Sequence, residues 1–227
     1  MRDMIQSNLH SWNISSKDAR ALRKGLANQI TENLVGPIYC VAGVDMAINA
    51  TTGYGRAAVV VMKVPSLQII EAHTFEAPLT MPYIPGLLSF RELPCILGAL
   101  ARVEQKPDVI LVDGMGIAHP RRLGIASHLG LWVSVPTIGC GKSRLVGSYA
   151  SHTLGEEAGS WVPLHDSDEI IGRVVRNRSN TNPLFISRGN RITLERSYEI
   201  IRLCTTQYRL PEPIRYADKL SKGHIIL

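Results

Sequence analysis

Two aspartates stand where an aspartate is costly. Asp45 interrupts the apolar run Val41-Ala42-Gly43-Val44, and Asp113 closes Val109-Ile110-Leu111-Val112 just before Gly114. An ionised carboxylate in an apolar strand must be paired, hydrogen-bonded or bound to a cation. Local structural roles compete with that: Asp113-Gly114 is a favourable turn pair, and Glu92 follows Ser89 at the spacing of a helix capping box. Taken together, Asp45, Glu92 and Asp113 are acidic groups from separate elements able to converge on a hard divalent cation such as Mg²⁺, which takes oxygen ligands and keeps some of its waters. Asp218, on the last helical stretch, offers a fourth carboxylate.

The basic residues suggest what such a cation would act on. Lys142 ends Pro136-Thr137-Ile138-Gly139-Cys140-Gly141-Lys142-Ser143, close to a Walker A loop except that Pro136 replaces the first glycine. Gly114-Met115-Gly116-Ile117-Ala118-His119 follows a strand like a dinucleotide fingerprint, but His119 replaces the third glycine. A nucleotide-binding ATPase is therefore the weaker alternative. Apart from ATP, an ammonium beside carboxylates can hold a phosphate oxygen and offset developing charge. His119-Pro120-Arg121-Arg122 is a basic turn in which Arg121 and Arg122 are candidates for phosphate contact. Tyr83-Ile84-Pro85, following Pro82, makes a stiff aromatic tip that either packs on the core or enters a base stack.

These residues need a frame. Ala19, Leu22, Leu26 and Ile30 recur at helical spacing after Ser15-x-x-Asp18, a capping box pattern. Runs rich in Val and Ile at 41–48, 56–63 and 67–75, with tight connections, predict an antiparallel meander. A helix at 89–103, a buried strand at 109–113, a helix at 123–131 and a strand at 133–138 follow, then strands at 169–176 and 183–187 and helices at 193–205 and 213–220. Meander first and alternation second means α/β with a mixed sheet, flanked by helices, not an all-parallel doubly wound fold. Asp113 then sits at the carboxyl end of a strand, where such sheets place ligands. Without an internal repeat, low-complexity tract or long linker, one domain over residues 1–227 is expected.

Composition narrows the class. With 45% hydrophobic and 19% charged residues the 227-residue chain can bury a sizeable core, which excludes a disordered tail protein. Ala57-Ala58-Val59-Val60-Val61-Met62 falls far short of the ~20 apolar residues of a membrane span. Residues 1–8 have no apolar core of the secretory kind, so a soluble, cytoplasmic protein with no membrane partner is expected. Cys40, Cys95, Cys140 and Cys204 are too scattered for zinc ligands or a disulfide framework and read as packed, reduced thiols. The formal net charge of +6 suits a polyanionic partner.

Several blocks converge on one family. Val44-Asp45, Met81-Pro82-Tyr83-Ile84-Pro85-Gly86-Leu87-Leu88-Ser89-Phe90-Arg91-Glu92, Val112-Asp113-Gly114, His119-Pro120-Arg121-Arg122-Leu123-Gly124-Ile125-Ala126-Ser127-His128, Pro136-Thr137-Ile138-Gly139, Lys142-Ser143-Arg144-Leu145 and Tyr208-Arg209-Leu210-Pro211-Glu212-Pro213 resemble endonuclease V, in order, over roughly 41–218. The resemblance implies a ribonuclease H-like fold and cleavage of DNA, or of RNA, at deaminated bases, chiefly inosine. It implies a cut one nucleotide beyond the lesion on its 3′ side, with Mg²⁺ as the cofactor and Mn²⁺ as a substitute. By motif match Asp45 and Asp113 carry the metal, Glu92 orients its water, Lys142 contacts phosphate and His119 is a further active-site group. Tyr83, with Ile84 and Pro85, is the implied wedge, and Gly86, Leu88, Gly114, Gly124 and Ile125 line a pocket for the extruded base. The family varies between His and Asp at the position of Asp218, which leaves a direct metal role there open. A monomer is expected. The alternative from another class is a catalytically silent nucleic-acid-binding module of the same fold. Two departures stand out: Gly139-Cys140-Gly141-Lys142 for the more usual Gly-Val-Ala-Lys, expected to loosen the strand end that presents Lys142, and Gly189-Asn190 for Gly-His.

Overall fold

The computed structural model describes residues 4–6, 9–33 and 36–224. The leader and single-domain expectations fall partly on residues 1–3, 7, 8, 34, 35 and 225–227, which lie outside the described residues. Among these residues eight strands form one mixed sheet: β1 (Cys40–Asn49), β2 (Tyr54–Lys63), β3 (Gln68–Pro78), β4 (Val109–Asp113), β5 (Thr137–Gly141), β6 (Trp161–Asp166), β7 (Glu169–Val175) and β8 (Leu184–Asn190), in the spatial order β3-β2-β1-β4-β5-β8-β7-β6. The expected meander holds, since β1, β2 and β3 pair antiparallel. Then β1, β4 and β5 run parallel, and β8, β7 and β6 return antiparallel.

Among the described residues, five α-helices flank the sheet: α1 (Ser16–Ala27), α2 (Leu88–Leu100), α3 (Ile125–Trp132), α4 (Leu194–Leu203) and α5 (Glu212–Ser221). Period-two alternation divides the central strands between two cores. Ala42, Val44, Ile110 and Val112 pack with Leu93 and Ile96 of α2 and Leu129 of α3. Val41, Leu111 and Ile138 pack with Ile200 and Ile201 of α4 and Ile214 of α5. The residues that continue the second face beyond Val41 and Leu111 are Gly43, Asp45 and Asp113, so both aspartates point to the side of α5. Gly43 is what lets α5 come so close, because a Cβ there would lie 2.1 Å from the Pro213 backbone.

Three local expectations are corrected. The capping box at Ser89 does not form: the cap of α2 is Leu87, without a side-chain cap bond, and Ser89 lies inside the first turn. At the start of α1 the box pattern does work, with Ser15 Oγ accepting from the Asp18 amide at 3.1 Å. The strand expected at 133–138 is Thr137–Gly141, because Val133 bridges to Ile5 and its neighbours turn before Pro136. β6 was not foreseen, its Pro163 and paired polar residues masking the alternation. All four cysteines are buried and free, and among the described residues no helix is long and apolar enough to cross a membrane.

Candidate active site

Parallel pairing of β1 with β4 sets Val44 opposite Val112, so the next residue of each strand, Asp45 and Asp113, stand side by side at the sheet's carboxyl edge. α5 adds Asp218. Carboxylate oxygens of Asp45, Asp113 and Asp218 all lie within 4.8 Å of one another. Oxygen donors at that spacing suit a hard divalent cation, and the electrostatics fit as well. Burial, then the Asp113 charge, pushes Asp45 up to about 6. Burial also raises Asp113, against the pull of Lys142. These are acids held together at a cost that a bound cation would remove.

Lys142, one residue beyond β5, supplies the cluster's own counter-charge. Its Nζ lies 2.5 Å from Asp113 Oδ2 and 3.2 Å from Asp218 Oδ1. Although burial works the other way, the Asp113 contact and the charges of Asp113, Asp218 and Asp45 hold Lys142 up to about 12. Asp113 gains less from the pair than it loses to burial, since its side chain is 12% exposed and that of Lys142 40%. Asp218 is lowered despite its partial burial, because Lys222 bonds both its oxygens at 2.8 Å and Lys142 adds charge. Glu92 is not part of the three-carboxylate group. It approaches from α2, and burial, reinforced by Asp45, pushes it up to about 7.

Beside Asp113 and Lys142 opens a cleft of about 610 Å³ whose lining includes Gly86, Leu88, Gly114, Gly124 and Ile125. The five residues assigned by motif match to a base pocket thus share one cavity. His119, Arg121, Tyr83 and Pro85 border it too. Gly114 adopts φ +149, and a Cβ there would meet Ile125 Cγ2 at 2.5 Å. Tyr83 is 65% exposed, which excludes the core-packed alternative, whereas Ile84 packs partly against the Met81, Leu87 and Phe90 cluster.

His119 is buried, and burial followed by the charges of Arg23, Arg121 and Arg122 pulls it down to about 4. Its Nδ1 accepts from the Arg121 amide at 3.2 Å, which leaves the ring proton on Nε2. Arg122 is taken up by Asp166 and Glu169 at 2.8 and 2.9 Å, so of the two turn arginines Arg121 is the exposed one. Neither nucleotide loop forms. Gly139 and Gly141 lie within β5, no helix starts at Lys142, and a Cβ at Gly116 would strike the Arg188 carbonyl at 2.0 Å. Gly141 does not loosen β5 either, since its missing side chain makes room for Met115. Asn190, in place of the usual His, donates to Gly130 O at 2.6 Å and accepts from the Thr31 amide at 2.8 Å.

Sequence reasoning missed two supporting groups. Ser221 Oγ donates to Asp45 Oδ2 at 3.2 Å, and Arg23 of α1 donates to Gly86 O at 3.1 Å, bracing the aromatic tip. Ser221 stands three residues past Asp218, a helical spacing that could have flagged it. Arg23 lies before the family blocks and carried no signal.

Comparison with known proteins decides the family. The family model for endonuclease V matches residues 21–219. The chain belongs to the endonuclease V family. The endonuclease V of Dehalococcoides mccartyi strain CBDB1 is 49% identical over 210 residues, 92% of this chain and 93% of its own. The Bacillus subtilis endonuclease V structure superposes with a TM-score of 0.88 at 32% identity, covering 94% of this chain and 93% of that one. A Ciona intestinalis endonuclease V, solved in complex with a 23mer DNA containing an inosine followed by a ribo-adenosine, superposes at 0.80 with 25% identity over 92% of this chain and 97% of its own. The fold is therefore ribonuclease H-like, and the chain is a nuclease.

Proposed function

We propose that this nuclease cuts DNA or RNA strands containing deaminated bases, chiefly inosine, at the second phosphodiester on the 3′ side of the lesion, with Mg²⁺ as cofactor and Mn²⁺ able to replace it. The observation that carries the proposal is a three-carboxylate cluster with a lysine paired to two of its members, opening beside an apolar cleft that an exposed tyrosine borders. The DNA bound by the Ciona relative contains the base this reading requires.

Asp45 and Asp113, joined by Asp218, would hold the cation. When bound it would supply Lewis acidity, easing deprotonation of the attacking water and offsetting charge on the phosphorane-like transition state. Glu92, poised near neutrality, orients that water and can take its proton. Lys142 Nζ donates to a non-bridging phosphate oxygen. His119, neutral with its proton on Nε2, donates to the reacting strand without acting as a cationic acid. Gly86, Leu88, Gly114, Gly124 and Ile125 receive the extruded base. Tyr83, supported by Ile84 and Pro85, fills the gap it leaves, and Arg121 meets backbone phosphate while Arg122 braces the turn. Work as a monomer in the cytoplasm completes the proposal.

The test offers matched DNA and RNA strands carrying inosine or adenine at one position, with Mg²⁺, and maps any cut at nucleotide resolution. Cleavage at one position 3′ of inosine, absent from the adenine strands, is the expected result. Binding without cleavage under all metal conditions would favour the silent binding module.

A further inference from the structure

Beside the cleft runs a hydrogen-bond chain that the reaction above does not use, buried at Ser89 and His128, half-buried at His10 and exposed at Ser11. Ser89 Oγ lies 2.9 Å from His128 Nδ1, His128 Nε2 lies 2.8 Å from His10 Nε2, and His10 Nδ1 lies 2.9 Å from the Ser11 carbonyl oxygen. His128 is fully buried, its ring 4.7 Å from that of Phe90 and 5.7 Å from that of Trp12. Burial lowers both histidines, so each ring is neutral and carries one N–H.

The direction of every bond follows. A carbonyl only accepts, so His10 Nδ1 carries the proton and His10 Nε2 must accept. His128 Nε2–H therefore donates to it, and His128 Nδ1 is left as an acceptor. Ser89 O–H donates there. No other proton arrangement of two neutral rings satisfies all three contacts.

The chain's position gives it a role. Ser89 sits in the first turn of α2, next to Leu88, and His128 sits on α3 one turn after Gly124 and Ile125. Leu88 and Ser89 itself line the cleft from the start of α2, Gly124 and Ile125 from the start of α3. The Ser89 to His128 bond thus ties the α2 side of the cleft to the α3 side. An apolar contact would leave their separation soft, whereas a hydrogen bond weakens steeply once its atoms part beyond about 3.5 Å.

We propose that Ser89 and His128 are positioning residues that fix the gap between the walls of the base pocket and thereby its selectivity for the extruded base, with His10 orienting the His128 ring. This rests on the lesion-binding function proposed above. The two amide isosteres of histidine separate the links. His128→Asn keeps an acceptor near Nδ1 for Ser89 and loses the donor to His10, while His128→Gln keeps a donor near Nε2 and loses the acceptor for Ser89.

The experiment measures affinity for a single strand carrying inosine and for its adenine counterpart, by fluorescence anisotropy with Mg²⁺, on the Asp45→Asn background so that strands stay intact. Melting temperatures are recorded in parallel. The inosine preference should fall about fivefold to tenfold in Ser89→Ala and in His128→Gln, the worth of one buried hydrogen bond, and stay within about twofold in His128→Asn. Equal loss of preference in the Asn and Gln variants, tracking their melting temperatures, would overturn the proposal by making the chain merely structural. So would full preference in a folded Ser89→Ala protein. If Ser89→Ala does not fold, the Asn and Gln pair decides alone. A background protein that binds both strands equally would sink the lesion-binding function and this inference with it.

Discussion

Lys142 Nζ lies 2.5 Å from Asp113 Oδ2, across the carboxyl ends of the neighbouring parallel strands β4 and β5. The ammonium occupies the electrostatic position that a cation bound to Asp113 would share, so lysine and metal compete for one carboxylate. Replacing Lys142 by methionine should therefore tighten Mg²⁺ binding about threefold to tenfold. It should also slow strand cleavage by about a hundredfold or more, since a donor to the developing charge is gone. Calorimetric titration with Mg²⁺ beside a cleavage time course checks both, and an unchanged or weaker Mg²⁺ affinity would contradict the competition.

Metal and proton should be linked through the same carboxylates. Asp45 at about 6, Glu92 at about 7 and the raised Asp113 all sit above their unfolded values, so the stability they contribute in the metal-free protein is present in acid and lost as pH rises toward neutrality. His119 at about 4, with the lowered His10 and His128, acts in the opposite sense. Their contribution is present above about pH 6.5 and lost as pH falls toward the folded values. Added Mg²⁺ binds the ionised cluster, so it should raise the melting temperature at about pH 8 and barely move it at about pH 5. An equal rise at both values would argue against the carboxylate site.

Tyr83 carries a separate prediction. Its 65% exposure means that Tyr83→Ala should leave the melting temperature of the free protein nearly unchanged. Affinity for an inosine-containing duplex should fall between about fivefold and a few hundredfold, the range of one aromatic-base stack, with a smaller loss for a single strand. Undiminished duplex affinity in the folded variant would remove the wedge.

Much of this arrangement was legible from residue types alone. A carboxylate inside an apolar run is so costly that Asp45 and Asp113 announced themselves, and the meander followed from period-two runs broken by Gly and Pro. What was hidden depended on tertiary contact. Glu92 was equally compatible with a capping box until the cap of α2 fell at Leu87, two residues before Ser89. Arg122 looked as available as Arg121, because its partners Asp166 and Glu169 come from distant positions around the unforeseen β6. Gly141 suggested looseness, since no local pattern reveals that Met115 fills its space.

The proposed chemistry rests on the two strand aspartates, Asp45 and Asp113. The decisive measurement is mapped cleavage of an inosine-containing strand with Mg²⁺ by the wild-type protein, Asp45→Asn and Asp113→Asn, each checked for folding and strand binding. An amide replaces a charged oxygen ligand poorly, so both variants should fold and bind the strand while cleavage 3′ of inosine drops by at least about a thousandfold. Removing a mutually repelling charge should leave the metal-free melting temperature of Asp45→Asn at or above the wild-type value near about pH 8. Wild-type cleavage by either variant would contradict the metal assignment, and unfolding of both would mean that the carboxylates hold the fold together instead of a cation.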